Sequence, residues 1–331
     1  MNLHPKNIIR FLLYLLILGI TLPFVLGFLN KFSPVFDSFS HFRVHLLIIL
    51  LPLLFIIAFF HEKRMTFTYF ALVGIGAFYL YWITQPFKVT QIDKNKTHQL
   101  KHLQYNLNFR NQRMEEFKAY LKETKPDIVT LQEVTPAHRE ILQEMQTNPY
   151  SLNFSNTYPY VSQRKGEYPY QAYCNFQVVG AVAILSKHPF NTKQSACLEG
   201  LGFIWSQVLV EEQPINVVSI HLRWPYPSPQ AMQVDTISPI FQHISSPLLV
   251  AGDFNSVSWS RSVNEMSKTS NTKVVDGLRW SISLKKQLPM LPFMKLSIDH
   301  VMLSKEFQVE EIFVEKDLGS DHFPIVSTIR Y

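Results

Sequence analysis

Three long apolar runs lie within the first 83 residues of this 331-residue chain, at 8–29, 44–60 and 66–83. A helix needs about 20 apolar residues to cross a bilayer core, so the first run is long enough and the other two are near the short limit. A buried core helix is the alternative for each run, and a signal peptide explains only the first. Three such runs, separated by short charged loops, predict three transmembrane helices in a membrane anchor at 1–84.

The charges beside these runs predict an orientation, because Lys and Arg concentrate in cytoplasmic loops. The N-terminal flank and the second loop carry Lys6, Arg10, Lys63 and Arg64, and the first loop carries Lys31 and Arg43. This balance places the N-terminus in the cytoplasm. Three spans then put the rest of this integral membrane protein on the non-cytoplasmic side. Three lysines after the third run weigh against this orientation, namely Lys88, Lys94 and Lys96.

The net charge of +6 comes entirely from the N-terminal part of the chain. Residues 1–96 hold nine Lys/Arg and three Asp/Glu, which leaves 22 of each kind in 97–331. A nucleic-acid-binding domain usually concentrates basic residues on one face. The neutral balance of 97–331 gives no support to such a domain, although a local basic groove remains open.

The two cysteines, Cys174 and Cys197, fit no zinc-binding spacing. They are expected either to pair in an oxidising compartment or to remain as two buried thiols. The sequence does not choose between these two states.

After a polar linker at 85–97, short apolar runs alternate with amphipathic ones. Strands are predicted at 98–106, 128–131, 178–185, 204–210, 215–220, 248–251, 297–303 and 325–331, and helices near 114–121, near 136–145 and from about 229. Two stretches, 149–176 and 256–296, lack periodicity and are predicted to be long surface excursions. The number of hairpins is too large for a parallel sheet alone, so 98–331 is predicted to be an α/β domain of two packed sheets with helices outside.

Polar side chains repeatedly follow the ends of predicted strands. In the stretch Leu248–Asn255, an apolar run stops at Gly252, and Asp253 and Asn255 follow at once. Residues i and i+2 of an extended segment point to the same side, so this carboxylate and this amide are aimed together. Each such residue alone is explained by a turn or a solvated loop, but their repetition predicts one site. The full set is Asn106, Asn108, Glu133, His221, Asp253, Asn255, Asp299, Asp321 and His322.

Six motifs in this set resemble those of the endonuclease/exonuclease/phosphatase superfamily, whose members are deoxyribonuclease I-like. They are Tyr105-Asn-Leu-Asn108, Leu131-Gln-Glu133, Ser219-Ile-His-Leu222, Gly252-Asp-Phe-Asn255, Ile298-Asp-His-Val301 and Gly319-Ser-Asp-His-Phe-Pro324. They occur in the family's order across about 98–331. The stretch 253–260 and the apolar runs look most like the bacterial membrane-anchored YafD-like group.

The resemblance implies a four-layer α/β sandwich that hydrolyses a phosphate ester with Mg²⁺ or Mn²⁺. The residue types support that chemistry independently. An anionic phosphoryl centre requires charge neutralisation and positioning. Hard divalent cations prefer carboxylate and amide oxygens, which this set of residues supplies.

The resemblance also implies which residues bind the metal. Glu133 is expected to be the main ligand, with Asn106 and Asn108 close by and Asp321 as a further ligand. Some relatives have Asp where this chain has Asn108, which leaves the number of metal ions open.

The catalytic roles are likewise implied by the resemblance. Asp253 is expected to orient or deprotonate the attacking water, with Asn255 holding the phosphate or that water. His322 is expected to bind phosphoryl oxygens while Asp299 fixes its tautomer and favours its charged form. His221 is expected to stabilise the transition state or to protonate the leaving oxygen.

Three functions remain open at this stage. A phosphodiesterase is favoured, acting on a lipid head group or a nucleic acid; tethering favours lipid, and the neutral charge of 97–331 disfavours long nucleic acid. A phosphomonoesterase would need further positive charge, for which Arg223 is the candidate substrate-binding residue. A catalytically silent interaction module is disfavoured because Glu133, Asp253 and His322 are all present. The expected partners are the phosphoester and the lipid bilayer, and no specific protein partner is predicted.

Overall fold

A computed structural model describes residues 5–60, 63–88, 93, 95–145, 166–176, 179–227, 229–285, 289–290 and 294–331. The chain divides into two compact units. The first unit comprises 1–86 together with the short segments 225–228 and 259–261. The second unit comprises 87–224, 229–258 and 262–331.

The described part of the first unit contains four helices: α1 (Pro5–Phe28), α2 (Pro34–Ser40), α3 (Arg43–Ala58) and α4 (Lys63–Ile83). By length and composition, α1 and α4 can each cross a membrane. The predicted span at 44–60 corresponds to α3, which has only 16 residues. It is long enough only together with α2, from which it is bent by 63°. The described residues therefore contain two or three candidate spans.

Arg43, a loop residue in the charge count above, is instead the first residue of α3. It is buried within the first unit. Its guanidinium carbon lies 4.2 Å from the centre of the Phe28 ring, and its Nη2 donates to Gly27 O. The charge of Arg43 is therefore stabilised by helix α1 itself.

The second unit contains fourteen strands in its described residues. They are β1 (Gln99–Asn106), β2 (Ile128–Val134), β3 (Tyr170–Asn175), β4 (Ala181–Ser186), β5 (Phe190–Leu198), β6 (Phe203–Val210), β7 (Gln213–His221), β8 (Leu248–Asp253), β9 (Lys273–Val274), β10 (Ile282–Ser283), β11 (Lys295–Leu296), β12 (Asp299–Leu303), β13 (Gln308–Val314) and β14 (Ile325–Arg330). The helices are α5 (Met114–Thr124), α6 (Pro136–Gln143), α7 (Gln230–Ile237), a 3-10 helix (Ser238–His243) and α8 (Arg261–Thr269).

Two six-stranded mixed sheets organise this unit. Sheet 1 has the order β13-β14-β1-β2-β4-β3, and sheet 2 has the order β5-β6-β7-β8-β12-β9. The pairs β1–β2 and β7–β8 are parallel, and the other neighbours are antiparallel. Strands β10 and β11 form a separate small ribbon.

Alternating side chains explain how the sheets pack. On β7 and β8, Val217 and Leu249 belong to the core shared by both sheets, whereas Val218 and Val250 belong to a second core with α7, the 3-10 helix and α8. Sheet 1 buries its other face against α5 and α6, and Phe117 of α5 is one of the residues packed there. Successive residues of these strands therefore alternate between two cores, as expected for strands that are buried on both faces. The predicted arrangement of two mixed sheets flanked by helices is confirmed.

Regular elements occupy parts of both predicted excursions. Within 149–176, the described residues contain β3, and 149–165 lie outside the described residues. Within 256–296 lie α8 and the short strands β9, β10 and β11. Those two predictions were wrong over these elements because β3 mixes Tyr, Gln and Cys without alternation, and α8 is largely polar. Strands β5 and β13 were also not predicted.

The two cysteines form a disulfide, which selects one of the two expected states. Cys174 lies on β3 at the edge of sheet 1, and Cys197 lies on β5 at the edge of sheet 2. Their Cα atoms are 5.5 Å apart. The bond therefore joins the edge strands of the two sheets.

Candidate active site

The strand registers bring the predicted residues to one edge of the two sheets. In sheet 1, the parallel pair β1–β2 sets Asn106 opposite Gln132, the residue before the predicted metal ligand on β2. In sheet 2, β8 lies between β7 and β12, so Asp253 is opposite both His221 and Asp299. Three of the predicted side chains therefore stand at one level of sheet 2.

Gly252 permits the close approach of β7 and β8 at this level. A Cβ atom added there would lie 1.9 Å from the backbone oxygen of Ile220. The strand predicted to stop at Gly252 in fact continues through it to Asp253. Glycine therefore precedes the carboxylate because no side chain fits between the two strands.

The Asp253 carboxylate lies at the centre of the site and is only 1% exposed. Its Oδ2 accepts a hydrogen bond from Asn106 Nδ2 at 2.9 Å, and its Oδ1 accepts one from the backbone N of Asn255 at 2.8 Å. Asn106 Nδ2 also donates to Glu133 Oε1 at 3.2 Å. Asn106 therefore links a carboxylate of sheet 2 to a carboxylate of sheet 1.

Three site residues, Asn108, Glu133 and Asn255, have φ angles of +57°, +56° and +47°. Left-handed backbone is uncommon outside glycine and persists where surrounding contacts hold it, often at functional sites. The backbone N of Asn108 donates to Asn106 Oδ1 at 2.9 Å, and a register shift in the β2–β4 pairing surrounds Glu133. These turns direct the three side chains to the site.

His322 and Asp299 form a buried pair beside Asp253. His322 Nδ1 donates to Asp299 Oδ2 at 2.8 Å, and its Nε2 lies 3.7 Å from Asp253 Oδ2. Burial lowers the pKa of His322, but the two carboxylates outweigh burial, and the resulting pKa lies above the usual histidine value. Burial has the opposite effect on a carboxylate and raises the pKa of Asp253, although His322 opposes that rise. The charged form of His322 is therefore favoured.

His221 differs from His322 in charge state. Its Nε2 lies 3.5 Å from Asp253 Oδ2 and 3.4 Å from Asn255 Nδ2. Burial is the main cause that lowers the pKa of His221 to about 3, and His322 adds to it. The imidazole of His221 is therefore neutral at neutral pH.

Arg223 and His221 both pack against the ring of Phe176. The Phe176 ring packs 5.0 Å from the His221 ring, centre to centre, and the Arg223 guanidinium carbon lies 5.4 Å from the centre of the same Phe176 ring. Phe176, which the sequence did not single out, thus positions a cation two residues after His221.

The expected metal ligands lie on the sheet 1 side of the site. Asn108 Nδ2 donates to Asp321 Oδ1 at 2.5 Å, and Glu133 Oε2 accepts from the backbone N of Phe109 at 2.9 Å. Asn108, Glu133 and Asp321 are partly exposed, whereas Asp253 is buried. Oxygen donors at such a position fit Mg²⁺ or Mn²⁺, hard cations that are usually bound by a few carboxylates and retained waters.

A different group of potential ligands is packed most tightly. Among the described residues, ligand atoms of Asp253, Asp299 and His322 lie within 4.8 Å of one another. Hydrogen bonds already engage this group, because Asp299 accepts three and His322 Nδ1 donates one of them. All three residues are also buried. The donor chemistry therefore fits a metal better beside Glu133.

A sequence model of the Endonuclease/Exonuclease/phosphatase family matches residues 103–322. The match spans about two thirds of the chain and includes every strand-end residue described above. This chain belongs to that family. Its likeness to the YafD-like group stays a prediction.

Solved structures show the same fold in this family member. A family protein from Leptotrichia buccalis C-1013-b has a TM-score of 0.51 at 16% identity, covering 70% of this chain and 100% of that chain. A family protein from Bacteroides vulgatus has a TM-score of 0.52 at 13% identity, covering 70% and 99%. No curated protein matches in sequence. At such identities the likeness establishes the fold alone.

All nine strand-end residues lie in one cluster connected by the hydrogen bonds and charge pairs described above, and their roles stay predictions. Sequence reasoning missed Gln104 and Ser281, which both bond to Asp299. The position of Gln104, two residues before Asn106 on the same strand face, could have indicated it. Ser281 gave no such signal. His300, the neighbour of Asp299 on β12, bonds instead to Ser256 O at 2.7 Å through its Nε2.

Proposed function

We propose that this family member is a membrane-anchored, metal-dependent phosphodiesterase. The observation that carries the proposal is the buried Asp253 carboxylate, which has one cationic and one neutral imidazole beside it. In-line hydrolysis of a diester requires a base for the attacking water and positive charge near the phosphoryl oxygens. The cluster supplies both, with His322 Nε2 3.7 Å from Asp253 Oδ2.

Each residue near Asp253 has a specific part in this proposal. Asp253 orients and deprotonates the attacking water, and its raised pKa makes it a stronger base than an ordinary carboxylate. His322, kept cationic by Asp299 and Asp253, donates from Nε2 to a phosphoryl oxygen. Asn255 holds the water or the phosphate.

The neutral state of His221 favours one of its two expected roles. A histidine whose pKa is about 3 does not carry a proton to give to the leaving oxygen at neutral pH. A neutral imidazole still donates one hydrogen bond. We therefore propose that His221 stabilises the transition state by hydrogen bonding and is not the general acid.

Glu133, Asn106, Asn108 and Asp321 would hold the Mg²⁺ or Mn²⁺ ion. When bound, the ion polarises a phosphoryl oxygen and offsets its charge. Asn106 donates to both Glu133 and Asp253, so it keeps the metal side and the water-activating side at a fixed spacing.

The cellular setting of the proposal rests on the apolar helices and the disulfide. Residues 1–84 are the anchor, 85–97 the linker and 98–331 the catalytic domain, which lies on the non-cytoplasmic side. The Cys174–Cys197 bond supports that side because disulfides persist in oxidising compartments. Tethering to a bilayer and the neutral charge of 97–331 favour a lipid head group over a nucleic acid as the substrate.

A phosphomonoesterase is the second candidate. Arg223 is the observation that favours it, because Phe176 places this cation beside His221, where a dianionic terminal phosphate would need further charge. A catalytically silent interaction module remains the third, with no observation in its favour.

The proposal is tested by hydrolysis of an activated phosphodiester and of the matching monoester by the full chain in detergent with Mn²⁺. Asp253→Ala is expected to lower diester turnover by about 10²- to 10⁴-fold, because the base is lost. Asp235→Ala, which removes an exposed carboxylate on α7, is the matched control and is expected to stay near wild type. Melting temperatures establish that both variants are folded.

Equal diester turnover in Asp253→Ala and Asp235→Ala would refute the role of Asp253. Release of phosphate from the monoester only, with loss in Arg223→Ala, would move the assignment to a phosphomonoesterase. A folded wild-type chain that binds Mn²⁺ but cleaves neither ester would favour the interaction module.

A further inference from the structure

The carboxylate that supports His322 has two further hydrogen-bond donors. Asp299 is fully buried, and its Oδ2 accepts from His322 Nδ1 and also from Ser281 Oγ at 2.6 Å. Its Oδ1 accepts from Gln104 Nε2 at 3.0 Å. Both extra donors are themselves fully buried. The carboxylate of Asp299 is thus held at both oxygens, by residues that carry none of the family motifs.

Ser281 holds the backbone of Asp299 as well as its side chain. The Ser281 Oγ accepts from the backbone N of Asp299 at 3.1 Å while it donates to Oδ2. The backbone O of Ser281 accepts from the N of Phe323, the residue after His322, at 2.7 Å. One residue therefore ties together the two chain segments that carry Asp299 and His322.

Gln104 holds the other carboxylate oxygen from the opposite sheet. It lies on β1, and its Nε2 donates to Gln132 Oε1 at 2.8 Å as well as to Asp299 Oδ1. Gln132 Nε2 donates in turn to Ser219 Oγ at 3.1 Å, and Ser219 Oγ donates to Leu131 O at 3.1 Å.

The direction of this chain of hydrogen bonds is fixed at both ends. A backbone carbonyl only accepts, so the Ser219 hydroxyl donates to Leu131 O and its oxygen accepts from the Gln132 amide nitrogen. Gln132 then presents its oxygen to Gln104. Gln104 therefore needs both of its N–H groups, one for Gln132 Oε1 and one for Asp299 Oδ1. If the Gln104 amide were turned over, its own oxygen would face these two acceptor oxygens.

We infer that Ser281 and Gln104 are positioning residues that hold Asp299, and through it the His322 imidazole, in the orientation needed at the phosphoryl group. This inference rests on the proposed function. The terminal torsion of an aspartate is broad, so nothing intrinsic to Asp299 fixes its carboxylate plane. Displacement of a reacting group by about 1 Å costs on the order of 10²-fold in rate.

The test compares full-length variants that each lose one buried polar group. Ser281→Ala removes the donor to Oδ2, and Gln104→Leu removes the donor to Oδ1 at similar volume. Ser206→Ala is the matched control, because Ser206 is fully buried on β6 and its hydroxyl has no hydrogen-bond partner among the described residues. Ser281→Thr retains a hydroxyl and serves as the conservative variant.

The readouts are kcat, KM, melting temperature and stabilisation by Mn²⁺. We expect kcat for a phosphodiester to fall about 10- to 100-fold in Ser281→Ala and Gln104→Leu. KM and the Mn²⁺-induced rise in melting temperature should stay close to wild type, because the hydrogen bonds of Gln104 and Ser281 described above go to Asp299, Gln132 and Phe323, which are not expected metal ligands. Ser281→Thr should recover part of kcat, and Ser206→Ala should resemble wild type.

The inference is overturned if kcat in Ser281→Ala and Gln104→Leu equals that of Ser206→Ala. It is also overturned if kcat, melting temperature and the Mn²⁺ effect fall together, which is the pattern of a merely structural role. If Ser281→Ala fails to fold, Gln104→Leu tests the same carboxylate from the other sheet. An inactive wild-type chain would refute the proposed function itself, and this inference with it.

Discussion

A buried histidine on β1 makes the fold sensitive to acid. His102 is fully buried, and its Nε2 lies 3.0 Å from Thr130 Oγ1. Burial lowers the pKa of His102 from 6.5 to about 3. Between these two values the unfolded chain binds a proton that the folded chain does not. The stabilisation that comes from keeping His102 neutral is therefore present in full above about pH 6.5 and is lost as the pH falls towards 3.

His102→Gln should consequently weaken the dependence of stability on pH. At pH 5, protonation of this one residue in the unfolded chain lowers the free energy of unfolding by about 2 kcal/mol relative to neutral pH. Melting temperatures of the full chain at pH 7 and pH 5 measure it, with His243→Gln, an exposed position, as the control. The drop between the two pH values should be smaller in His102→Gln than in wild type or His243→Gln. An equal drop in all three would contradict the buried neutral state.

Strand alternation made part of the site predictable at the level of residues. Asp253 and Asn255 follow a short apolar run, and their common side is a local property of extended chain. The support of Asp299 was not predictable in the same way. Ser281 lies in a stretch without periodicity, and its bond to Asp299 spans 18 residues of sequence. The charge states of the two histidines were also not predictable. They depend on tertiary contacts, because burial and His322 lower the pKa of His221, whereas Asp299 and Asp253 raise the pKa of His322.

Secondary-structure elements with a clear hydrophobic pattern were predicted more accurately than elements whose position depends on the strands they pair with. Strand β8 begins with a continuous apolar run and β7 is mostly apolar from Ile215 to Ile220, which suits strands buried on both faces. Strand β3 is mixed in composition, and its inward side is set by pairing with β4 and by the disulfide. Helix α3 is the converse case. Its sequence is apolar from Leu46 to Ala58, yet the 16 residues of the helix are short of a span unless α2 is added.

The apolar helices carry the prediction about orientation. With three spans and a cytoplasmic N-terminus, the second unit lies on the non-cytoplasmic side, where a disulfide persists. In sealed inside-out vesicles, protease added from outside should leave the C-terminal domain of the full chain intact. Opening the vesicles with detergent should expose it to cleavage. Digestion in sealed vesicles would contradict the orientation.

At the scale of the whole second unit, the candidate site belongs to neither sheet alone. Asn106 and Glu133 come from sheet 1, and His221, Asp253 and Asp299 come from sheet 2. Hydrogen bonds from Asn106 and Gln104 cross between the sheets, and the disulfide joins the two sheets at their edges. The proposed hydrolysis would therefore depend on the relative position of the two sheets.

The central claim is that this two-sheet cluster hydrolyses a phosphodiester with a divalent metal held beside Glu133. The most direct measurement is diester turnover by the full chain with Mg²⁺, with Mn²⁺, and with chelator before and after the metal is restored. Glu133→Gln is compared with Glu140→Gln, an exposed glutamate on α6. We expect turnover with metal, its loss in chelator, a decrease of about 100-fold or more in Glu133→Gln, and none in Glu140→Gln. Turnover that persists in chelator, or a Glu133→Gln variant as active as Glu140→Gln, would contradict the account.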